Sequence, residues 1–169
     1  MSLPRARGLN HITLAVADLD RAWALWVDVL GAQPLMRSPR SAYLLVGELW
    51  LCLVLQSHRR APDPTDYTHL ALTVAPEDLA ELRARALAAG CTEFQPNTTE
   101  GASAYLRCAD GHQIELHVGD WRSRIAALRG AGDPSVRIFD SPPTTEDGLS
   151  IVILAVSDPA RSRDFYAAV

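Results

Sequence analysis

The stretch that decides the fold is HITLAV at residues 11–16, because its pattern returns as HLALTV at residues 69–74. Both stretches alternate as β-strands do, and both hold a histidine at the same phase. Each is followed by an amphipathic helix and further strand patterns, which gives two β-α-β-β-β units over about residues 8–58 and 66–120. We therefore predict an α+β fold in which two paired βαβββ modules form a curled mixed sheet around one cavity.

Turn and cap signals place the elements within each module. Gly47-Glu48 and Asp110-Gly111 are turn signals between strand patterns, so each module should end in a hairpin. Helices are predicted at residues 18–31, 76–90 and 120–128, and hairpin strands at residues 42–46, 49–54, 103–107 and 113–118.

The composition is that of a globular protein: 169 residues, 48% hydrophobic and 21% charged, with a formal net charge of −4. This balance offers no basic surface to nucleic acid, and no apolar run reaches the ~20 residues that a membrane span needs. We therefore expect neither partner. Three cysteines without a C-x-x-C pair indicate neither a disulfide framework nor a thiolate zinc site. Because the N-terminus also lacks a signal-peptide pattern, we expect a cytoplasmic protein.

Three candidate metal ligands follow from the repeat. His11 opens the leading strand of the first module, His69 opens that of the second, and Glu115 lies on the last strand of the second. Two imidazoles and a carboxylate leave open positions on a cation such as Mn²⁺, Fe²⁺, Ni²⁺ or Zn²⁺, which could act as a Lewis acid on a bound oxygen. A single strand histidine is more often a rim or core residue, but two in equivalent positions beside an acid favour a shared site.

Further motifs extend this pattern: LNHITLAVADL at residues 9–19, LWLCL at 49–53, DYTH at 66–69, DGH at 110–112, ELHVGD at 115–120 and RSR at 122–124. With them, the chain resembles the vicinal-oxygen-chelate (glyoxalase/bleomycin-resistance) superfamily, and within it the fosfomycin-inactivating glutathione transferases, over about residues 8–135. The first motif is common to the superfamily, whereas the later ones together are specific to the fosfomycin group. The resemblance implies a metal-dependent glutathione transferase that adds a thiol to the epoxide ring of fosfomycin.

The resemblance also implies the metal sites and the assembly. His11, His69 and Glu115 fall on Mn²⁺ ligands of a module-exchanged homodimer, in which the first histidine comes from the partner chain. A loop before the last hairpin resembles a K⁺ site that adds positive charge near the substrate's phosphonate. The loop residues that carry over are Thr99, Glu100, Gly101 and Ser103.

Residues around the substrate carry over in the same way. Thr13, Tyr43 and Arg124 take catalytic positions: Tyr43 aligns with a tyrosine thought to assist the incoming thiol, and Arg124 offers paired donors to phosphonate oxygens. Holding the thiol and the epoxide together would supply much of the rate. The residues implied to bind substrate are Thr13, Trp50, Tyr67, Gln95, Ser103, Tyr105 and Arg124.

The chain departs from the fosfomycin group at two positions. Gln95 stands where close relatives place a lysine near the phosphonate, and Thr99 stands where they place a serine. Losing the ammonium removes a charge-assisted hydrogen bond, for which Arg107 is a candidate replacement. His112, in a turn, and His117, at a strand end, are assigned structural or exposed positions outside the site.

Other functions share the fold and the ligand types. They are an epoxide hydrolase, a transferase that uses cysteine or bacillithiol, and a dioxygenase or glyoxalase-like enzyme. Against water as the nucleophile, hydrolase relatives carry a glutamate base before the tryptophan strand, where this chain has Arg40-Ser41-Ala42. A drug-sequestering binding protein would have no need of the three ligands, so their presence disfavours that class.

The C-terminal part of the chain resembles the start of another module. Residues 1–135 are predicted to form the vicinal-oxygen-chelate domain, residues 136–148 a linker, and residues 149–169 a partial further βα unit. In that unit, Ile151 takes the place of His11, so the copy lacks the first ligand. We expect it to be either part of a longer fusion or the remnant of a decayed copy, and its strand needs a partner edge.

Overall fold

The computed structural model describes residues 9–56, 63, 65–98, 100–138, 149–153, 156 and 158–168. The strands among them are β1 (His11–Val16), β2 (Gln33–Arg37), β3 (Ser41–Val46), β4 (Leu49–Leu55), β5 (His69–Thr73), β6 (Thr92–Gln95), β7 (Ser103–Arg107), β8 (Gln113–His117) and β9 (Leu149–Ile153). The helices are α1 (Leu19–Trp23), α2 (Leu79–Ala88), α3 (Trp121–Ala131) and α4 (Pro159–Ala168).

The strands form two open mixed sheets, one from each module. The first has the order β1-β4-β3-β2, and the second has the order β6-β7-β8-β5-β9. In each module the leading strand runs parallel to the last one, β1 beside β4 and β5 beside β8, and the other pairs within the module are antiparallel. The predicted α+β class and the repeated βαβββ order are therefore confirmed.

Alternation along the strands separates a core face from an open face in each sheet. On β1, Leu14 and Val16 are buried, whereas His11 and Thr13 are exposed. The buried apolar residues of both modules form one cluster, in which Leu51 and Leu53 of β4 are fully buried. Helices α1 and α2 pack on this apolar face, which leaves the opposite face of each sheet for polar residues.

The turn between β7 and β8 ties the two modules together. Asp110 is only 3% exposed, and its Oδ1 accepts hydrogen bonds from the Ala17 backbone at 2.8 Å and from Arg21 at 3.2 Å. His112 donates through Nε2 to the Ala15 carbonyl at 2.7 Å. These bonds attach the second hairpin to the end of β1, so the position of one sheet relative to the other is fixed by polar contacts as well as by packing.

Three local features differ from the sequence prediction. The helix predicted at residues 18–31 is α1 followed by a wider π-helical turn over Ala24–Val29, and the adjacent Leu25 and Trp26 are both buried there. Strand β2 was not located, because four of its five residues are exposed and it contains Pro34. The helix predicted from residue 76 begins only at Leu79, after a turn.

The C-terminal segment contributes a fifth strand to the second sheet. Strand β9 runs antiparallel to β5, and α4 follows it. Residues 139–148 of the predicted linker lie outside the described residues. Within the described ranges, none of the helices combines the length and the apolar content that crossing a membrane requires.

Candidate metal centre

Strands β5, β7 and β8 bring a row of polar side chains onto the open face of the second sheet. The register pairs Glu115 of β8 with Ala71 of β5 and with Tyr105 of β7. Residues that lie directly opposite in a sheet share a face, and so do residues two apart on one strand. His69 and Ser103 therefore join Glu115 on that face.

His69 and Glu115 form a buried pair at the middle of this row. Their exposed fractions are 1% and 4%, and His69 Nε2 lies 3.1 Å from Glu115 Oε2. On the other side of the ring, Nδ1 lies 2.8 Å from the Tyr67 carbonyl, which can only accept a hydrogen bond. Both ring nitrogens therefore carry protons here. Burial lowers the pKa of His69, but its hydrogen bonds to Glu115 and Tyr67 outweigh burial and raise it above the ordinary value.

The second carboxylate oxygen of Glu115 is held by two neighbours. Ser103 Oγ donates to Oε1 at 2.8 Å, and His117 Nδ1 lies 3.1 Å from the same oxygen. Burial alone would raise the pKa of Glu115, yet that pKa is lowered to about 2, because hydrogen bonds from His69, Ser103 and Tyr105 outweigh burial. The carboxylate is therefore ionised at any pH at which the protein would work.

This arrangement fits a divalent metal. A metal-binding histidine normally donates its second N–H to a backbone carbonyl or carboxylate, as His69 does to Tyr67. The Nε2 proton of His69 is the one that a cation would replace, and the ionised Glu115 next to it supplies a negative oxygen. A neutral imidazole and a carboxylate suit Mn²⁺, Fe²⁺, Ni²⁺ or Zn²⁺. Two ligands alone make a weak site, so a third is needed.

The predicted third ligand lies in the other sheet. His11 is exposed on β1, where its ring contacts Trp50 at a centroid distance of 4.9 Å, and Nδ1 lies 2.7 Å from Asn10 Oδ1. Among the residues that the structure describes, no group of three histidine, cysteine or acidic side chains is arranged so that it could hold a metal ion. Within one chain the predicted ligand set is therefore divided.

The residues predicted to bind substrate are also divided between the two sheets. On the first sheet, β1 pairs His11 with Trp50 and Thr13 with Cys52, and Cys52 in turn pairs with Tyr43. His11, Thr13, Tyr43 and Trp50 consequently share the open face of that sheet, and Tyr43 contacts the Trp50 ring edge-on at 5.4 Å. Trp50 Nε1 is buried and has no hydrogen-bond partner among the described residues.

On the second sheet, two more predicted residues contact His69, and a third is bonded to one of them. Tyr67 and Tyr105 contact its ring edge-on at centroid distances of 4.9 and 5.8 Å. Gln95 donates through Nε2 to the Tyr67 hydroxyl at 3.2 Å. These residues form a wall of hydroxyl and amide groups beside the pair of His69 and Glu115.

The predicted K⁺ loop lies against the end of this row. Gly101 has a φ of +72°, and a Cβ there would come within 2.5 Å of the Val118 carbonyl oxygen, so the loop can approach β8 only with glycine at this position. Glu100 forms an ion pair with Arg124 of α3. Ser103 donates a hydrogen bond to Glu115, and Thr99 lies outside the described residues.

His117 belongs to this site, although the sequence analysis left it out. It is only 3% exposed, and its Nδ1 lies 2.7 Å from Ser103 Oγ as well as 3.1 Å from Glu115. Its burial excludes the exposed position that the sequence allowed, whereas the structural position stays a prediction. The signal that could have found it is its spacing of two residues from Glu115, which puts both side chains on one face.

Comparison with known proteins agrees with this geometry. Residues 8–116 match the Glyoxalase/Bleomycin resistance protein/Dioxygenase superfamily. The chain is 45% identical to the glutathione transferase FosA of Serratia marcescens, with 73% of this chain and 89% of that one covered. It is 34% identical to the metallothiol transferase FosB of Shouchella clausii (strain KSM-K16), with 70% and 85% covered.

Solved structures extend the likeness to three dimensions. The fosfomycin resistance protein FosX from Listeria monocytogenes, complexed with Mn(II) and sulfate ion, has a TM-score of 0.63 and 29% identity, with 73% of this chain and 99% of that chain covered. FosX from Mesorhizobium loti has a TM-score of 0.62 and 26% identity, with 72% and 99% covered. The chain therefore belongs to the Glyoxalase/Bleomycin resistance protein/Dioxygenase superfamily and, within it, to the family of the fosfomycin-resistance enzymes.

Proposed function

We propose that the chain is a metal-dependent glutathione transferase that opens the epoxide ring of fosfomycin or of a closely similar phosphonate. The observation that carries the proposal is the buried pair of His69 and Glu115, with His69 Nδ1 bonded to a carbonyl and Nε2 directed at an ionised carboxylate. The 45% identity to a protein named glutathione transferase FosA supports glutathione as the thiol.

A homodimer would complete the site. His69 and Glu115 would hold the cation, and β1 of a second copy would bring His11 to it. Mn²⁺ is our choice of cation because the FosX structure from Listeria monocytogenes contains it. When bound, such a cation neutralises the phosphonate dianion and stabilises the negative charge that develops on the epoxide oxygen.

The chain's own side chains would bind and orient the two reactants. Arg124, already held by Glu100, offers planar paired donors to phosphonate oxygens. Tyr105 and Gln95 line the second sheet's half of the cavity, and Thr13 and Trp50 line the half from the first sheet. The Nε1 of Trp50 is buried and has no hydrogen-bond partner among the described residues.

The reaction forms one bond and breaks one. The thiol sulfur attacks a ring carbon from the face opposite the ring oxygen, the carbon–oxygen bond breaks, and the oxygen gains a proton. The proton that the oxygen gains balances the one that the thiol loses, and Tyr43, on the open face that carries His11, would hydrogen-bond the thiol and guide its proton. No covalent enzyme intermediate is needed, because positioning and charge stabilisation supply the rate.

Potassium would act from the loop of Thr99, Glu100, Gly101 and Ser103. Glu100 is the negative group of this loop, and it already lies beside a cation, Arg124. A K⁺ ion shared with Glu100 would leave more of Arg124's charge for the phosphonate. The three free, buried cysteines fit a reducing compartment that holds glutathione, so we place the enzyme in the cytoplasm.

The test is a comparison of acceptors by phosphorus NMR. The protein is incubated with fosfomycin, Mn²⁺ and K⁺ together with glutathione, cysteine, bacillithiol or no thiol, and Glu115→Gln serves as the control for uncatalysed addition. We expect fast product formation with glutathione, and slower formation when Na⁺ replaces K⁺. Product without any thiol would make the chain a hydrolase, faster product with another thiol would change the co-substrate, and no product above the control would overturn the proposal.

A further inference from the structure

Strand β9 and helix α4 repeat β1 and α1 in both sequence and structure. Five of the ten residues from Leu9 to Asp18 recur at the same positions from Leu149 to Asp158, namely leucine, leucine, alanine, valine and aspartate. Each aspartate caps the helix that follows: Asp18 accepts from the Arg21 backbone at 3.0 Å, and Asp158 accepts from the Arg161 backbone at 2.9 Å. The chain thus contains two leading units and a third strand–helix unit of the same design.

This third strand–helix unit covers one edge of strand β5. Strand β5 is paired on one side with β8, which carries Glu115, and β9 is paired antiparallel on its other side. The register places Ile151 opposite Ala71, and Ala71 lies opposite Glu115 on the next strand. Position 151 is therefore in the row of the sheet that holds Glu115, and it adjoins the strand that carries His69.

The same edge is the one that the proposed metal site requires, and in this respect the inference rests on the proposed function. A second copy would bring its His11 beside His69 and Glu115 if its β1 paired with the edge of β5 that β9 covers, because β8 occupies the other side of β5. The outer edge of β1 has no strand partner among the described residues, so it is available to pair. When β1 and β9 are aligned, Ile151 takes the position of His11, and isoleucine has no donor atom.

We propose that residues 149–168 are a built-in competitor for the β5 edge. In the single chain β9 occupies the edge without contributing a ligand, and β1 of a second copy must displace it to complete the metal site. The features of this segment allow displacement: β9 is five residues long, its register with β5 is interrupted between Ala71 and Leu72, and Phe165 of α4 is 61% exposed. Metal binding is thereby coupled to exchange of one strand for another.

A gain of metal binding tests where β9 lies. In the full chain, Ile151→His introduces the missing imidazole at the register position that β1 would give to His11, and Ile151→Asn is the matched polar control. At concentrations where sedimentation shows single chains, Mn²⁺ should bind at least about tenfold more tightly to Ile151→His than to Ile151→Asn by calorimetry. The affinity should not depend on protein concentration, because the three ligands then belong to one chain.

A weakened β9 tests the competition itself. Val152→Pro removes a backbone donor opposite Leu70 and disfavours the strand, whereas Val152→Ala keeps the donor. If β9 blocks the edge, its loss raises the fraction of chains that can pair, and the dimer dissociation constant should fall by at least about tenfold in Val152→Pro relative to Val152→Ala. Sedimentation equilibrium measures that constant without metal.

The outcomes separate this inference from the proposed function. If the wild-type chain transfers thiols to fosfomycin, a null result in either comparison overturns the competitor role of β9. If thiol transfer is absent and Val152→Pro still tightens the dimer, β9 does compete for the edge and the proposed function alone is wrong. A dimer constant that is equal in Val152→Pro and Val152→Ala overturns the inference whatever the activity.

Discussion

At the scale of single residues, both ring nitrogens of His69 make hydrogen bonds. These two bonds connect the structure of the site to its chemistry. Its bond to the Tyr67 carbonyl fixes the ring, and its contact with Glu115 places a proton where a cation would lie. The charged pair is buried, which costs free energy unless each charge is compensated. Ser103 and His117 supply that compensation on the far oxygen of Glu115.

The raised pKa of His69 predicts that metal binding releases a proton. Below that pKa the metal-free ring is charged, so the cation must displace the Nε2 proton, and affinity should fall as pH decreases. Glu115, with a pKa of about 2, stays ionised and adds no pH dependence near neutrality. Calorimetry in buffers of different ionisation enthalpy should give at least about one proton released per Mn²⁺ at about pH 6. Release of no proton there would contradict the charged His69.

Substitutions of Gln95 test whether a cation at this position is needed to balance the negative charge of the phosphonate. Gln95→Lys places an ammonium beside Tyr67 and should raise kcat/KM for fosfomycin about tenfold or more, since a charge-assisted hydrogen bond contributes about 1.5–3 kcal/mol. Gln95→Met, which is similar in length and neutral, is the control. An equal rate in the two variants would remove any need for a cation at this position.

Arg107 is the candidate for supplying a replacement charge in the wild-type chain. Its guanidinium lies over the Phe94 ring at 5.3 Å, and its Nε is buried without a hydrogen-bond partner among the described residues. If Arg107 replaces the lysine, Arg107→Met should lower kcat/KM about tenfold in the wild-type chain and by less in Gln95→Lys. This non-additivity is what a double-mutant cycle measures, and additive effects would exclude the compensation.

The sequence predicted site residues best where the internal repeat of residues 11–16 and 69–74 pointed to them. His11 and His69 stand out because one pattern contains a histidine twice, and the structure places both on open sheet faces. His117 was missed, because its position at a strand end gave no sign that Gly101 and Ser103 would pack against it. Burial of a polar side chain by a loop is a tertiary effect that strand alternation does not report.

At the scale of elements, the loop between β6 and β7 shows how tightly the site is packed. Gly101 combines a positive φ with a close approach to the Val118 carbonyl. We expect Gly101→Ala to destabilise the protein by about 1–2 kcal/mol from the left-handed backbone alone, with a further cost from the contact. Thermal unfolding with and without Mn²⁺ measures the loss.

Gly130 provides the matched control for that substitution. It lies in α3, and an added Cβ there would meet nothing within 4 Å. Gly130→Ala should therefore stabilise the protein by about 0.5–1 kcal/mol through helix propensity. If Gly101→Ala did not lower the unfolding temperature relative to Gly130→Ala, the special geometry of Gly101 would be contradicted.

Elements with strong periodicity or clear turn chemistry were predictable, and exposed irregular ones were not. The hairpin across Asp110-Gly111 was predicted at residues 103–107 and 113–118 and occurs as β7 and β8. Strand β2 and the π-helical turn depend on tertiary packing, which the local sequence does not encode. The partner of β9 could not be named either, because a strand pattern does not specify which edge it joins.

At the scale of the whole molecule, the two open faces hold complementary halves of one proposed site. The first sheet offers His11, Thr13, Tyr43 and Trp50, and the second offers His69 and Glu115 with their neighbours. The duplication explains why the halves have the same design. It also explains why one chain alone does not bring the ligands together, since the equivalent edges of β1 and β5 belong to different sheets.

The central claim is that a metal site is completed between two copies, and mixing two inactive variants tests it most directly. His11→Ala and Glu115→Gln should each lose at least about 100-fold in thiol transfer to fosfomycin, because each removes a ligand from every site. After the two are unfolded and refolded together in equal amounts, half of the dimers are mixed, and one of the two sites in a mixed dimer is intact. The account predicts recovery of about a quarter of the wild-type activity. Activity no higher than that of either variant alone would contradict it.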